Sequence, residues 1–237
     1  MSNEYFDPGA QRAAKVEALF ARIAPRYDLL NDVLSLGLHR YWKRRLVNLA
    51  RPRPGERALD VCCGTGDLAF ALARRGVRTT GLDFSTRMLA VAEQRTTRGP
   101  DAPHFTQGDA QQLPFENASF DIVTVGYGLR NLADWQVGLG EMHRVAAPGG
   151  RILVLDFGKP DNALWRALYF GYLRLFVPLL GRIFCGSASA YAYILESLQH
   201  YPAQHGVEQR MLELGLRNLK IVNLLGGVMT INYGEKV

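Results

Sequence analysis

Cysteine pairs, long uninterrupted hydrophobic runs and blocks of like charge are scarce in this chain, and each scarcity removes a class of protein. Three cysteines among 237 residues cannot build a disulfide framework. The most apolar stretch, Asn162 to Phe184, carries Arg166, Arg174 and Arg182, with Gly171 and Pro178. An arginine in a bilayer core is costly, so a spanning helix is excluded. No run of like charges offers a nucleic-acid tail, and no nucleic-acid partner is expected. The net charge of +6 suits an anionic lipid surface or ligand and requires neither. The opening "MSNEYFDPGAQ" has no basic segment followed by an apolar core. It is not a signal peptide, and the expected compartment is the cytoplasm, with peripheral contact at the inner membrane face left open. None of the five histidines stands in a His-x-x-x-His or Cys/His zinc spacing, so no metal is expected.

The patterning that is present is that of an α/β protein. Val16, Leu19, Phe20 and Ile23 lie at helical spacing, and Pro25 ends or re-aims that helix. "YDLLNDVLSLGLHRYWKRRLVNLA" reads as further helices broken near Gly37. From Glu56 onward, short apolar runs alternate with helical ones: "RALDV", "VRTTGLD", "PHFTQGDA", "FDIVTVGYG" and "RILVLDF" as strands. Gly76 and Ser85 fit a helix C-cap and N-cap. Pro148 and Gly149 are expected to stop the helix that begins near Trp135. Such alternation predicts a Rossmann-like, mostly parallel sheet with helices on both faces. "NLKIVNLLGGVMTINYGEKV" adds two strands around Gly226-Gly227, a natural antiparallel edge. The expected organisation over 1–237 is a single unit: a helical cap (12–50), a cofactor-binding core (56–157), a helical insertion (159–200), and a final helix and hairpin (201–237).

"LDVCCGTGD" joins the first strand to a helix. Loops of this kind bind nucleotides, because free N–H groups and the positive helix end face the crevice. Gly64 and Gly66 allow close backbone approach, and Ala69 occupies the third site of a Gly-x-Gly-x-x-Gly spacing, so spacing alone leaves NAD open. Asp83 ends the second strand, where an acid can accept from ribose hydroxyls, and Asp109 ends the third, near an adenine amino group. Cys62 and Cys63 have no second Cys/His pair at metal spacing, and neighbouring cysteines bridge poorly. They are expected to fill small apolar positions, Cys62 in a backbone conformation that a Cβ tolerates. A helix N-terminus can also lower a thiol's pKa and make it an oxidation site.

Asp60 ahead of the glycines, Asp83, Asp109-Ala110 and "APGG" before the fifth strand together resemble the class I S-adenosylmethionine methyltransferases over residues 56–157. A narrower resemblance rests on "YDLLNDVLSLGLHRYWK", "LPFENASFD", "GYGLRN", "RVAAPGGRILVLDFGKP", "AYAYILESLQHYP" and "NLLGGVMTINYG". These strings are similar to the ubiquinone/menaquinone biosynthesis C-methyltransferases, which methylate a ring carbon of a polyprenyl quinol. The absence of Asn/Asp-Pro-Pro-Tyr after the fourth strand counts against base N-methylation.

The resemblance implies S-adenosylmethionine as cofactor, held by Asp60, Gly64, Thr65, Gly66, Asp83, Asp109, Ala110 and Gly126. It implies a polyprenyl quinol substrate, with Arg130, Asn131 and Tyr27 at the ring. It leaves open a homo-oligomer or a quinone-biosynthesis complex. It also leaves open another lipophilic methyl acceptor, or a non-catalytic cofactor-binding subunit. Ser187 and Ala192 depart from the Asp and Arg common in relatives.

In-line methyl transfer asks the protein chiefly for alignment. A ring carbon becomes nucleophilic once a neighbouring hydroxyl loses its proton, so the site needs a proton acceptor and donors for the phenolate. Arg130 stays protonated and suits the phenolate, although a structural salt bridge is its alternative role. Asn131 and Tyr27 could orient the ring. His39 is the histidine best placed in the family-like strings to accept a proton. Trp165, Leu168, Tyr169, Tyr172, Leu175 and Phe176 lie at helical spacings, for packing on the sheet or for a prenyl groove.

Overall fold

The computed structural model describes residues 12–24, 27–97, 99, 102–185 and 189–237. Pro25 and Ser187 lie outside them, and the side chains of Cys185 and Ala192 are likewise not described.

Seven strands form one sheet: β1 (Arg57–Val61), β2 (Arg78–Asp83), β3 (His104–Gln107), β4 (Phe120–Gly126), β5 (Ala146–Phe157), β6 (Arg217–Leu224) and β7 (Met229–Glu235), in the order β3-β2-β1-β4-β5-β7-β6. The first five are parallel, and β7 is antiparallel to both β5 and β6. The order reverses between β1 and β4, which opens a crevice at their C-terminal ends.

β1 is buried from its second residue on, as expected of a parallel strand covered on both faces. Its side chains divide by alternation. Leu59 and Val61 join a core with Leu82, Val123, Val125 and Met142, whereas Ala58 joins Trp42, Leu46, Leu68 and Ile122 on the other face. Helices α4 (Asp67–Ala73), α5 (Thr86–Arg95) and α6 (Trp135–Val145) link the strands. Ser85 caps α5 through the Met88 N–H, and Gly76 takes a left-handed φ of 76° as expected. α6 stops at Val145, earlier than Pro148 and Gly149 suggested. Pro148 and Gly149 instead fall inside β5, whose register against β4 shifts between Phe120 and Ile122.

Three helices precede the sheet: α1 (Arg12–Ile23), α2 (Tyr27–Ser35) and α3 (Leu38–Ala50). Leu36 and Gly37 turn the chain between α2 and α3 with φ values of 50° and 76°. α3 then buries Trp42, Leu46, Val47 and Ala50 along one helical stripe. After β5 come α7 (Ala163–Cys185), α8 (Ser189–His200) and α9 (Ala203–Glu213).

Candidate active site

The loop after β1 forms the floor. Asp60 lies between Gly81 and Thr124 in the sheet register, and its Oδ1 accepts from the Thr124 hydroxyl at 2.8 Å. Its Oδ2 is buried with no partner. Burial pushes this carboxyl up to about 7, opposed by the Thr124 hydrogen bond and by Lys43. Asp83 accepts from the Gly64 N–H at 2.8 Å and from the Ser85 N–H at 2.9 Å, which ties the glycine loop to the end of β2. Burial raises its pKa too. Asp109 is exposed and accepts from the Gln111 N–H at 2.8 Å.

Cys62 corrects the expectation made for it. Its φ is 53°, in the left-handed region that favours glycine. The side chain is accommodated because residue 128 is a glycine: a Cβ there would sit 2.4 Å from the Cys62 Cβ. Nor are the two thiols activated. Burial, followed by the charge of Asp83, pushes both well above the usual cysteine value. At this helix start, desolvation outweighs the helix end.

Two clefts open above the floor. The first, of about 810 Å³, is lined by Gly64, Asp83, Asp109, Ala110, Gly126 and Asn131, among others. The second, of about 1000 Å³, holds Arg130 and His39 among apolar side chains of α1, α2, α7 and β7. Phe20, Tyr27 and Tyr127 line both. A smaller recess under the first joins Lys43, Asp60, Cys62, Thr65 and Asp67.

α2 is fastened over this floor. Asp28 accepts from the Thr65 hydroxyl at 2.8 Å and from Arg95 at 3.0 Å, and Arg95 also donates to the Thr65 carbonyl and to Asp67. The Thr65 side chain therefore faces the cap rather than the first cleft. Tyr27 stands between the clefts, and burial raises its pKa.

Arg130 is 5 % exposed. Its guanidinium donates to the Tyr127 carbonyl at 2.6 Å and to Asp156 at 3.2 Å, and it lies 4.7 Å from the centre of the Phe157 ring. It is salt-bridged to Asp156, and it also lines the second cleft. Asn131 lines the first cleft, with its amide donating to the Tyr127 carbonyl and accepting from Tyr193.

Sequence reasoning did not single out Tyr127, Lys43 or Asp156. All three lie inside strings already quoted, "GYGLRN", "RYWK" and "LVLDF". Only the fold reveals that Lys43 bonds Asp67 at 2.7 Å beside the Asp60 recess.

The first cleft and its recess fit S-adenosylmethionine. The recess offers a buried Asp60 oxygen without a partner, and the first cleft offers the carboxylates of Asp83 and Asp109, acceptors of the kind that an ammonium, ribose hydroxyls and an adenine amine require. Among the described residues, no cluster of ligating side chains could hold a metal.

Comparison with known proteins agrees with this geometry. The chain is 40% identical over 235 residues to the ubiquinone/menaquinone biosynthesis C-methyltransferase UbiE of Ectopseudomonas mendocina, covering 97% of this chain and 91% of that one. It is 42% identical over 222 residues to the demethylmenaquinone methyltransferase of Beutenbergia cavernae, covering 94% and 91%. In fold it is similar to an S-adenosylmethionine-dependent methyltransferase of Thermotoga maritima, with a TM-score of 0.65, 16% identity, and coverage of 94% and 100%. Residues 9–236 match one family throughout, and the chain belongs to it: the ubiE/COQ5 methyltransferase family.

Proposed function

We propose that this protein methylates a ring carbon of a polyprenyl quinol, in menaquinone or ubiquinone biosynthesis, with S-adenosylmethionine as donor. The observation that carries the reading is the polarity of the second cleft. His39 Nδ1, Asn31 Nδ2, the Tyr127 and Tyr169 hydroxyls and Arg130 Nε are buried without hydrogen-bond partners, and all five residues line that cleft. Around them stand Leu19, Ile23, Leu173, Val177 and Met229. Unmet polar groups in an apolar chamber suit a hydroxylated ring on a hydrocarbon tail.

S-Adenosylmethionine supplies an already activated methyl group. The protein's work is to hold the ring against it. Tyr27 and Tyr127, shared by both clefts, separate donor from acceptor. Arg130 stabilises the negative charge that develops on the ring oxygen. Asn131 fixes the loop that carries Arg130. The test uses labelled S-adenosylmethionine with two short-chain probes, a 2-prenyl-1,4-naphthalenediol and a 2-methoxy-6-prenyl-1,4-benzenediol. Label is expected on a ring carbon of at least one. Absence of label on both overturns the reading.

The tail implies a membrane source. Among the described residues, no helix is long and apolar enough to cross a bilayer. α7 nevertheless exposes Leu164, Leu168, Leu175 and Phe176 with Arg166 and Arg174 among them. Such a face suits shallow insertion, with guanidinium groups at headgroup level. In flotation with anionic vesicles the protein is expected to rise with the lipid, and Leu168→Asp/Phe176→Asp to stay below. A protein that never floats, with or without quinone, counts against peripheral contact.

A further inference from the structure

We propose that His39 and Asp32 form the proton acceptor of the reaction, with Nδ1 of His39 taking the hydroxyl proton of the ring. The inference rests on the reading that the second cleft receives a hydroxylated ring. His39 sits just past the turn at Gly37 and is 2 % exposed. Its Nε2 lies 2.8 Å from Asp32 Oδ1. Arg40 grips the same carboxylate with two bonds, of 2.8 and 2.6 Å. Those hydrogen bonds, from Arg40 first and then His39, hold Asp32 well below the usual carboxylate range. An ionised carboxylate has no proton to give. The hydrogen between the two groups therefore belongs to Nε2, and Nδ1 carries a lone pair. That nitrogen is buried and has no partner.

The other unpartnered groups of the cleft are of the opposite kind. Burial keeps the Tyr127 and Tyr169 hydroxyls protonated, a guanidinium remains charged, and the Asn31 amide nitrogen only donates. Among these five groups, His39 Nδ1 is the one built to accept. The charges around the imidazole act in both directions. Burial lowers its pKa and Lys43 adds to that, while Asp32 and Asp67 oppose it. The result is a neutral ring at neutral pH, with an anion behind it to stabilise the imidazolium once formed. This is the arrangement of a general base oriented by a carboxylate.

The step balances as follows. The ring O–H bond breaks and an N–H bond forms at Nδ1. The oxygen's electron pair is delocalised onto the ring carbon, which forms the new C–C bond to the methyl group as the C–S bond breaks. The electron pair of the broken C–S bond stays on sulfur, which departs as a neutral thioether. The ring carbon then loses its own hydrogen as a proton and aromaticity returns. The imidazolium returns its proton to the ring oxygen, so that, net, one proton goes to solvent, from the ring carbon.

The test pairs a structural readout with kinetics. In nitrogen-15 histidine spectra of the full chain, His39 is expected as the Nε2–H tautomer, titrating below the ordinary histidine value. An Nδ1–H tautomer overturns the proposal even if every variant fails to fold. His39→Gln is expected to lose about a hundredfold in kcat on whichever diol probe the wild type methylates, with unchanged affinity for S-adenosylhomocysteine. Its rate should keep climbing with pH as the diol itself ionises, whereas the wild-type rate levels off above the His39 titration. Asp32→Asn should lower kcat in the same direction. A His39→Gln enzyme with normal kcat, or with only a raised KM for the diol, would show His39 to be structural. If the wild type methylates neither diol, the functional reading fails instead, and the spectrum still reports the dyad.

Discussion

Arg130→Gln is expected to reduce methyl transfer by about a thousandfold while leaving cofactor affinity intact, as removal of a preorganised charge donor does in other enzymes. The guanidinium lines the acceptor cleft and not the cofactor cleft, which is why the two quantities should separate. The variant has a second expected effect. Asp156 is 3 % exposed, and its charge is balanced by Arg130. Burial already raises the Asp156 pKa, with Arg130 the largest opposing influence. Removing Arg130 leaves an uncompensated buried carboxylate, at a cost of about 3–5 kcal/mol. Its pKa then rises further above the unfolded value. The folded chain binds the extra proton, so the variant's stability falls as pH rises through the raised pKa. Melting temperature against pH reads this directly.

Adding Asp156→Asn separates the two roles of Arg130. A neutral amide in place of the carboxylate should restore stability and flatten the pH dependence, because no buried charge remains. Methyl transfer should stay low. Recovery of transfer along with stability would mean that Arg130 acts only as a salt-bridge partner.

Gly128→Ala is expected to weaken S-adenosylmethionine binding by up to about a hundredfold, the upper range for overpacking a dense site. The new Cβ would meet the Cys62 Cβ at 2.4 Å, with Cys62 Sγ and Val125 Cγ2 at 3.0 Å. Two backbone segments that line the cofactor cleft would be driven apart. The clash has a specific remedy. Cys62→Gly removes two of the three atoms and relaxes a left-handed residue, so the double variant should regain most of the lost affinity. Cys62→Gly alone should bind normally. Calorimetry on the four proteins completes the cycle, and failure of the second substitution to rescue the first would refute the packing account.

The sheet was legible because parallel strands and the helices between them carry strong, regular signals. "RALDV" and "FDIVTVG" are short runs rich in apolar and β-branched residues, and Gly76 and Ser85 mark helix ends by their chemistry. The boundary at Pro148-Gly149 was misplaced because those residues interrupt a strand as readily as they end a helix. The positions of Asp60, Asp83 and Asp109, at or just past the ends of neighbouring strands, were legible because the strands themselves were. Cys62 could not be read correctly. Its conformation depends on the missing side chain at Gly128, which is distant in sequence and adjacent only in the fold. The pairing of Arg130 with Asp156 was hidden for the same reason, and so was the bond from Asp28 to Thr65.

Tyr27 and Tyr127 are walls common to two rooms, and this bears on how such a protein can change over time. α7 and α8 furnish much of the acceptor room and line none of the cofactor room, so most of their residues can drift to suit a new tail or ring at little risk to the donor, Tyr193 excepted, which holds Asn131. A change at either tyrosine is felt on both sides at once. Variation in acceptor preference should therefore accumulate in the two late helices, and the partition should be the last part of the molecule to move.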